Sequence, residues 1–388
     1  MKKRIIILGS TGSIGSSTLN ILERDLSNFS ITLLTANKNY KKLIKQAKKF
    51  NAENIIIKDK KYFKYIKNEL RNYKTKVYCG NISLKKIIKK KVDYTISAIV
   101  GIAGLYYTIE ALKITKILAI ANKESIVCAW NIIYNLSLKY KTKILPVDSE
   151  HFSIFNLTKD FSDNDIEEIL ITASGGPFLD TPLNKLKSIT PTQATKHPNW
   201  KMGKKISIDS ANLMNKFFEL IEATKLFNIN PKKYKIIIHP QSYVHSIIRF
   251  KNGLIKMILY NTDMEIPISN TIYGFKSDFS NIKNINVEKL NQLTFKKVNI
   301  KKFPSIKLLN KCFKIGKLAP IMINAANEEL VSLFLKNKIK FLDIVNSLLK
   351  LVDDKEFKKV SYKKVKNVDD IYLYDNWARL KIHNISVK

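Results

Sequence analysis

The apolar run Arg4–Leu8 leads straight into Gly9-Ser10-Thr11-Gly12-Ser13-Ile14-Gly15, and a helical pattern over Ile14–Glu23 opens within that loop. A strand, a glycine-rich turn and a helix in this order leave few folds open. Glycines let the backbone turn tightly and approach a pyrophosphate, and a helix N-terminus offers free N–H groups to the anion. The spacing is G-x-x-G-x-x-G, a variant of the dinucleotide pattern G-x-G-x-x-G. Its weight comes from the strand–loop–helix context rather than from the glycines. The plain alternative is a glycine-rich turn with no ligand.

β-type runs recur at Ser30–Leu34, Asn54–Ile57, Tyr94–Ser97, Ile117–Ile120 and Lys143–Leu145, with helical patterns such as Tyr40–Phe50 and Glu124–Tyr140 between them. Such alternation builds a parallel sheet covered by helices. The expected fold class is α/β, with a Rossmann-like parallel sheet domain over 1–147. From 148 to 275, loops rich in Gly, Pro, Ser and His separate short elements, as in an α+β catalytic domain. Residues 276–302 are rich in Lys and Asn and read as a linker. A helical domain over 303–388 follows, where Phe341, Leu342, Ile344, Val345, Leu348, Leu349 and Val352 mark one helix face.

A net charge of +36 suggests nucleic acid as a partner. The charge is almost all lysine, however. Arginine, the better residue for bidentate phosphate and base recognition, occurs at Arg4, Arg24, Arg71, Arg249 and Arg379. The lysines are spread along the chain with abundant Ile and Asn, as in an AT-biased coding sequence, so no nucleic-acid partner is expected. A basic surface would still draw anionic substrates inward. Cys79, Cys128 and Cys312 form neither a metal-spaced cluster nor a disulfide framework, which points to a reducing cytoplasm. No membrane-spanning stretch and no signal peptide is expected.

The second strand runs into Thr35-Ala36-Asn37-Lys38-Asn39. NAD-binding folds place a carboxylate here to hold the ribose 2′-hydroxyl. This chain has none, and Lys38 is available for a 2′-phosphate, so NADPH is favoured over NADH. Lys38 as one more surface lysine is the alternative.

Metal chemistry is suggested by Leu145-Pro146-Val147-Asp148-Ser149-Glu150-His151. In extended backbone, Asp148 and Glu150 would point to one side. Two carboxylates aimed together call for a cation, and hard oxygen ligands suit Mg²⁺ or Mn²⁺. Alone, such a triplet is usually solvated. Four other segments strengthen it: Ala121-Asn122-Lys123-Glu124 after a strand, Thr172-Ala173-Ser174-Gly175-Gly176-Pro177, His197-Pro198-Asn199-Trp200-Lys201-Met202-Gly203, and Asp209 to Glu219. Lys123 could polarise a carbonyl, or be a helix-start surface residue. Trp200 reads either as part of a lid over a ligand or as core. Ser210, a candidate cap for the next helix, makes with Asn215 and Lys216 a workable phosphate cradle. Glu219, four residues after Asn215, could supply a third carboxylate.

These runs, with His239–Ser246 and Asn324–Glu329, resemble the 1-deoxy-D-xylulose-5-phosphate reductoisomerase family over nearly the whole chain and in family order. The resemblance implies that Asp148, Glu150 and Glu219 hold Mg²⁺ or Mn²⁺, with Co²⁺ a third candidate. It gives substrate binding to Lys123, Ser149, Glu150, Ser174, His197, Ser210, Asn215, Lys216 and Glu219, and the closing flap to Trp200 and Met202. Lys123, Asp148, Glu150 and Glu219 would be catalytic. NADPH would be held by Gly9, Ser10, Thr11, Gly12, Ser13, Ile14, Gly15, Asn37, Lys38, Asn39, Asn122, Glu124 and Gly203. A phosphorylated sugar substrate and a homodimer, with dimerisation through the 148–275 domain, are implied as well.

Three positions depart from the family pattern: Phe217 and Asn37 stand where Gly is usual, and Leu179 where Arg is usual. Two rival readings remain beside the resemblance. One is an NADP-dependent dehydrogenase acting on another phosphorylated sugar or semialdehyde. The other is a lysine-rich nucleic-acid-binding protein built on a vestigial nucleotide fold.

Overall fold

The chain strings Ile5, Ile6, Ile7 and Leu8 into a strand of its N-terminal sheet with every side chain fully buried. A strand apolar on both faces belongs inside a parallel sheet covered on both sides. The computed structural model describes residues 2–200, 202–274 and 285–386. It divides into two units, whose described residues are 2–125, 130–152 and 264–274 in the first, and 126–129, 153–200, 202–263 and 285–386 in the second.

The first unit holds β1 (Lys3–Leu8), β2 (Phe29–Ala36), β3 (Asn54–Ile57), β4 (Lys76–Cys79), β5 (Val92–Ser97), β6 (Thr115–Ile120) and β7 (Lys143–Pro146). Their order is β4-β3-β2-β1-β5-β6-β7, and every pairing is parallel. Strand order reverses between β1 and β5. Ligands of open α/β sheets bind at such a reversal, beyond the carboxyl ends of the strands. Gly9 follows β1 there, Asn37 follows β2, Asn122 follows β6 and Asp148 follows β7. β4 was not expected from the sequence: it is an edge strand, exposed to half-buried, so it carries no continuous aliphatic run.

The second unit holds β8 (Ile166–Ala173), β9 (Tyr234–Ile238), β10 (Val244–Phe250), β11 (Ile255–Leu259) and β12 (Lys296–Lys297), in the order β11-β10-β8-β9-β12. β8 runs parallel to β9 and antiparallel to β10. Residues 276–284 of the expected linker lie outside the described residues; its remainder includes β12, which pairs with β9. The C-terminal part is helical, with Ala319–Leu335 packed against Phe341–Asp353 and Val368–Ser386. Ile344, Val345, Leu348 and Val352 of the expected face are buried. Among the described residues, no helix is long and apolar enough to cross a membrane.

Candidate active site

The glycine loop is fixed from below. Gly9 N–H donates to Thr35 Oγ1 (2.8 Å) and Ser10 N–H to Thr35 O (2.9 Å), which ties the loop to the end of β2. A Cβ on Gly15 would fall 2.5 Å from both Gly9 O and Ser10 Cα, so the helix can start this close to the turn only with glycine there. Gly12 ends the turn as N-cap of the helix Ser13–Glu23 and brings no capping side chain. The amides of that helix start are therefore left to solvent or an anion. Thr11, Gly12, Ser13 and Ile14 lie at this exposed to half-buried rim. Ser10 does not: it is fully buried, its hydroxyl donating to Gln46 Oε1 (2.8 Å). Its work is to anchor the loop.

Beyond β2, Asn37, Lys38 and Asn39 are exposed. Asn39 caps the helix Tyr40–Lys49, its side chain accepting from Lys42 N–H. Asn37 is not among the described residues with positive φ, so asparagine replaces the family's usual glycine without backbone strain.

At the end of β6, Asn122 caps the helix Lys123–Tyr140 by accepting from Ser125 N–H (3.0 Å). Its amide donates to Ile99 O (2.7 Å) and to the Glu124 carboxylate (2.9 Å). Asn122, Lys123 and Glu124 are all buried. The Lys123 ammonium lies 3.8 Å from Asp148 Oδ2. The expected extended backbone at Asp148–Glu150 is corrected here. β7 ends at Pro146 and a helix, Ser149–Thr158, begins. Asp148 precedes it as a cap, its carboxylate accepting from Glu150 N–H (3.3 Å) and its carbonyl from Phe152 N–H (2.8 Å). A short acidic side chain at a helix start prefers this role. Glu150 thus comes off the first helical turn, its carboxylate accepting from Ser149 Oγ. His151 Nδ1 lies 3.4 Å from Asp148 Oδ1.

The second unit gathers hydroxyls around an imidazole. His197 Nε2 lies 3.0 Å from Ser174 Oγ and 3.1 Å from Ser210 Oγ. Its Nδ1 accepts N–H groups of Asn199 (3.1 Å) and Trp200 (3.0 Å), which places the proton of the neutral ring on Nε2. Burial, and then the charge of Lys216, push the His197 pKa down to about 4. The loop Ser174–Gly176 comes this near because Gly176 has φ +67° and no side chain: a Cβ would meet Ala211 Cα at 2.8 Å. Ser210 lies inside the helix Lys204–Ala211 and does not cap the following one; Asn212 Oδ1 instead accepts from Met214 N–H (3.0 Å). A pocket of about 340 Å³ opens beside Ser174, Gly176, Pro198 and Asn199.

On the helix Met214–Phe227, the Lys216 ammonium donates to Glu219 Oε2 (2.6 Å) and the Asn215 amide to Glu219 Oε1. Glu219 is 1% exposed. Trp200 is half-buried, edge-on to His245 with ring centroids 6.0 Å apart. Met202 is half-buried and Gly203 is the exposed N-cap of Lys204–Ala211; Lys201 lies outside the described residues. Phe217 is fully buried edge-to-face with Phe218, so an aromatic pair fills the space beside Glu219. Leu179 packs against the cluster of Ala173, Leu213, Ile238 and Phe303.

Sequence reasoning missed several supports. Asn199 holds the His197 loop by donating to Pro240 O (2.6 Å) and Ser242 Oγ (2.9 Å). Asn327 donates to Asp209 Oδ1 (2.8 Å), which gives two of the quoted motifs a structural tie. Lys225, half-buried, donates to Val127 O (2.6 Å) just before the helix Lys123–Tyr140 kinks at Ala129. Asn199, Asp209 and Asn327 stood in the quoted runs; nothing in the sequence marked Lys225.

A parallel sheet in this order, with a glycine loop after its first strand, places the chain in the Rossmann-like class of α/β proteins. Sequence models described as 1-deoxy-D-xylulose 5-phosphate reductoisomerase match residues 5–130, and those of its C-terminal domains match 144–227 and 259–381. The 1-deoxy-D-xylulose 5-phosphate reductoisomerase of Pelagibacter ubique (strain HTCC1062) is 50% identical over 387 residues, 99% of this chain and 100% of that protein. That of Clostridium novyi (strain NT) is 40% identical over 98% of this chain and 99% of its own. The solved structure of the Zymomonas mobilis enzyme in complex with NADPH superposes with a TM-score of 0.89 at 36% identity, covering 99% of each chain. A reductoisomerase in complex with NADPH, fosmidomycin and magnesium gives 0.92 at 32%, covering 99% of this chain and 98% of that one. The chain belongs to the 1-deoxy-D-xylulose 5-phosphate reductoisomerase family.

Proposed function

We propose that this chain rearranges and reduces 1-deoxy-D-xylulose 5-phosphate to 2-C-methyl-D-erythritol 4-phosphate, using NADPH and a divalent cation, in isoprenoid precursor synthesis. The observation that carries this reading is the Ser174–His197–Ser210 cluster, a set of neutral donors and acceptors around one point, in a chain matched to the family end to end.

The residues fit the groups the reaction needs. Asp148, Glu150 and Glu219 are hard oxygen donors suited to Mg²⁺ or Mn²⁺, and Co²⁺ is compatible. The glycine loop leaves amides for a pyrophosphate, and the end of β2 offers Lys38 and no carboxylate. When bound, the cation supplies Lewis acidity for negative charge on the substrate's ketone and neighbouring hydroxyl oxygens. NADPH supplies the hydride that reduces the rearranged aldehyde.

The chain's own groups bind and orient. Ser149, Ser174, Ser210, Asn215 and Lys216 take the phosphate, and Lys216 makes that contact charge-assisted. His197 donates its Nε2–H there without carrying charge. Binding energy at this remote group orients the reacting carbons. Lys123 adds an ammonium beside Asp148. Asn122 and Glu124 hold each other at the end of β6. Trp200 and Met202 close over the substrate and exclude water.

By family likeness the chain is also read as a cytoplasmic homodimer, and the free Cys79, Cys128 and Cys312 agree with a reducing compartment. Light scattering would test the dimer. The reaction is tested by product analysis: 1-deoxy-D-xylulose 5-phosphate, NADPH and Mg²⁺ must give 2-C-methyl-D-erythritol 4-phosphate. A folded chain that binds NADPH and yields none of it would sink the assignment.

A further inference from the structure

We propose that Lys42 is a specificity-determining residue that acts with Lys38 to select the 2′-phosphate of the dinucleotide. This rests on the reading of the cofactor as NADPH.

The geometry is local and lies within the first unit. Lys42 stands in the first turn of the helix Tyr40–Lys49, whose start is fixed by Asn39. Its ammonium donates to Thr11 O (3.2 Å) and to Ser16 Oγ (2.6 Å), so the charge sits on the rim of the glycine loop. One turn further along the same helix face, Gln46 is buried beneath that loop. Its amide donates to Ser10 O (2.9 Å), and it accepts from Ser10 Oγ (2.8 Å). Gln46 therefore anchors the helix to the loop from inside, and Lys42 is left half-buried at the mouth with a fixed approach.

The chemistry follows from where a dinucleotide lies on such a sheet. The pyrophosphate meets the glycine loop, and the adenosine ribose reaches the end of β2. Its 2′-position then faces the strip between Thr11 and Lys38. A bare hydroxyl there calls for a carboxylate at the end of β2, and Thr35 to Asn39 contain none. A phosphate calls for cations: the Lys42 ammonium lies on Thr11 O and Ser16 Oγ, and Lys38 stands exposed just after β2. An ammonium has three N–H groups. Two are used on Thr11 and Ser16, which leaves one, with the whole charge, for an incoming phosphate oxygen.

The other role open to Lys42 is a clamp that only shapes the loop. The two roles differ in which ligand suffers. The test measures binding of 2′,5′-ADP and 5′-AMP by calorimetry to the full chain and to Lys42→Met, Lys42→Arg and Lys38→Met. The proposal expects Lys42→Met to weaken 2′,5′-ADP by about 10- to 100-fold, the loss of one charge-assisted contact. It expects 5′-AMP to change by less than about two-fold on the same reasoning, and Lys42→Arg to keep most of the preference for 2′,5′-ADP. Equal losses for both ligands would make Lys42 a loop clamp and overturn the proposal, as would 2′,5′-ADP binding that Lys42→Met leaves intact. A wild-type chain with no preference for 2′,5′-ADP over 5′-AMP would overturn the NADPH reading itself, a result distinct from either.

Discussion

Lys216 and Glu219 sit one helical turn apart, both buried, with the ammonium 2.6 Å from the carboxylate. In the proposed reaction they serve different ligands, Lys216 the phosphate and Glu219 the cation. Each therefore compensates the other's buried charge until a ligand arrives. Breaking a buried pair by removing one partner costs about 3–5 kcal/mol. Lys216→Met and Glu219→Gln should each lose stability on that scale in urea unfolding, and the double variant should lose less than the sum. Strict additivity would show that the pair is not coupled. In kinetics, Lys216→Met should raise KM for the sugar phosphate at least about ten-fold, and Glu219→Gln should raise the metal requirement.

His197 should stay neutral from pH 8 down to about 5, because burial and the charge of Lys216 hold its pKa at about 4. The ordinary value is 6.5, so the unfolded chain takes up this proton first. Stability from this residue is whole above pH 6.5 and is lost as the pH falls toward 4. Nitrogen NMR of the imidazole should report an Nε2–H tautomer with no titration near pH 6.5. A charged His197 at pH 6 would contradict the paired N–H donors at Nδ1.

Gly15→Ala would put a methyl group 2.5 Å from Gly9 O and Ser10 Cα. Neither backbone atom can give way without moving the loop. NADPH affinity should fall, with a stability loss of about 1–3 kcal/mol from the overpacking. Unchanged NADPH binding would mean the loop is not the cofactor site.

The residue types of the site were legible in the sequence, but their geometry was only partly so. The alternation of apolar runs announced the parallel sheet, because strands buried on both faces must be continuously apolar. β4 escaped because Lys76-Val77-Tyr78-Cys79 lies at the sheet edge and carries no such run. Asp148 and Glu150 were read as a strand pair, yet Asp148 caps a helix, since local side-chain capping outweighed continuation of β7. Lys42, Gln46 and Lys225 could not be found by any local rule. Their partners lie 31, 36 and 98 residues away in sequence, so only tertiary pairing reveals them.

Lys225 tests one such pairing. Its ammonium serves Val127 O and Ile126 O beside the kink at Ala129. Lys225→Ala would leave buried carbonyls without this donor and should cost about 2–3 kcal/mol in urea unfolding. A variant as stable as wild type would show that the kink does not depend on Lys225.

The central claim is that one chain joins metal, sugar phosphate and NADPH in a single reaction. Its most direct measurement is NADPH oxidation with 1-deoxy-D-xylulose 5-phosphate as a function of Mg²⁺ concentration, for wild type and Asp148→Asn. The account predicts saturable, metal-dependent oxidation that chelator abolishes, and a curve for Asp148→Asn displaced to higher Mg²⁺ with a lower plateau. Oxidation that ignores the sugar phosphate, or that proceeds equally without metal, would contradict it.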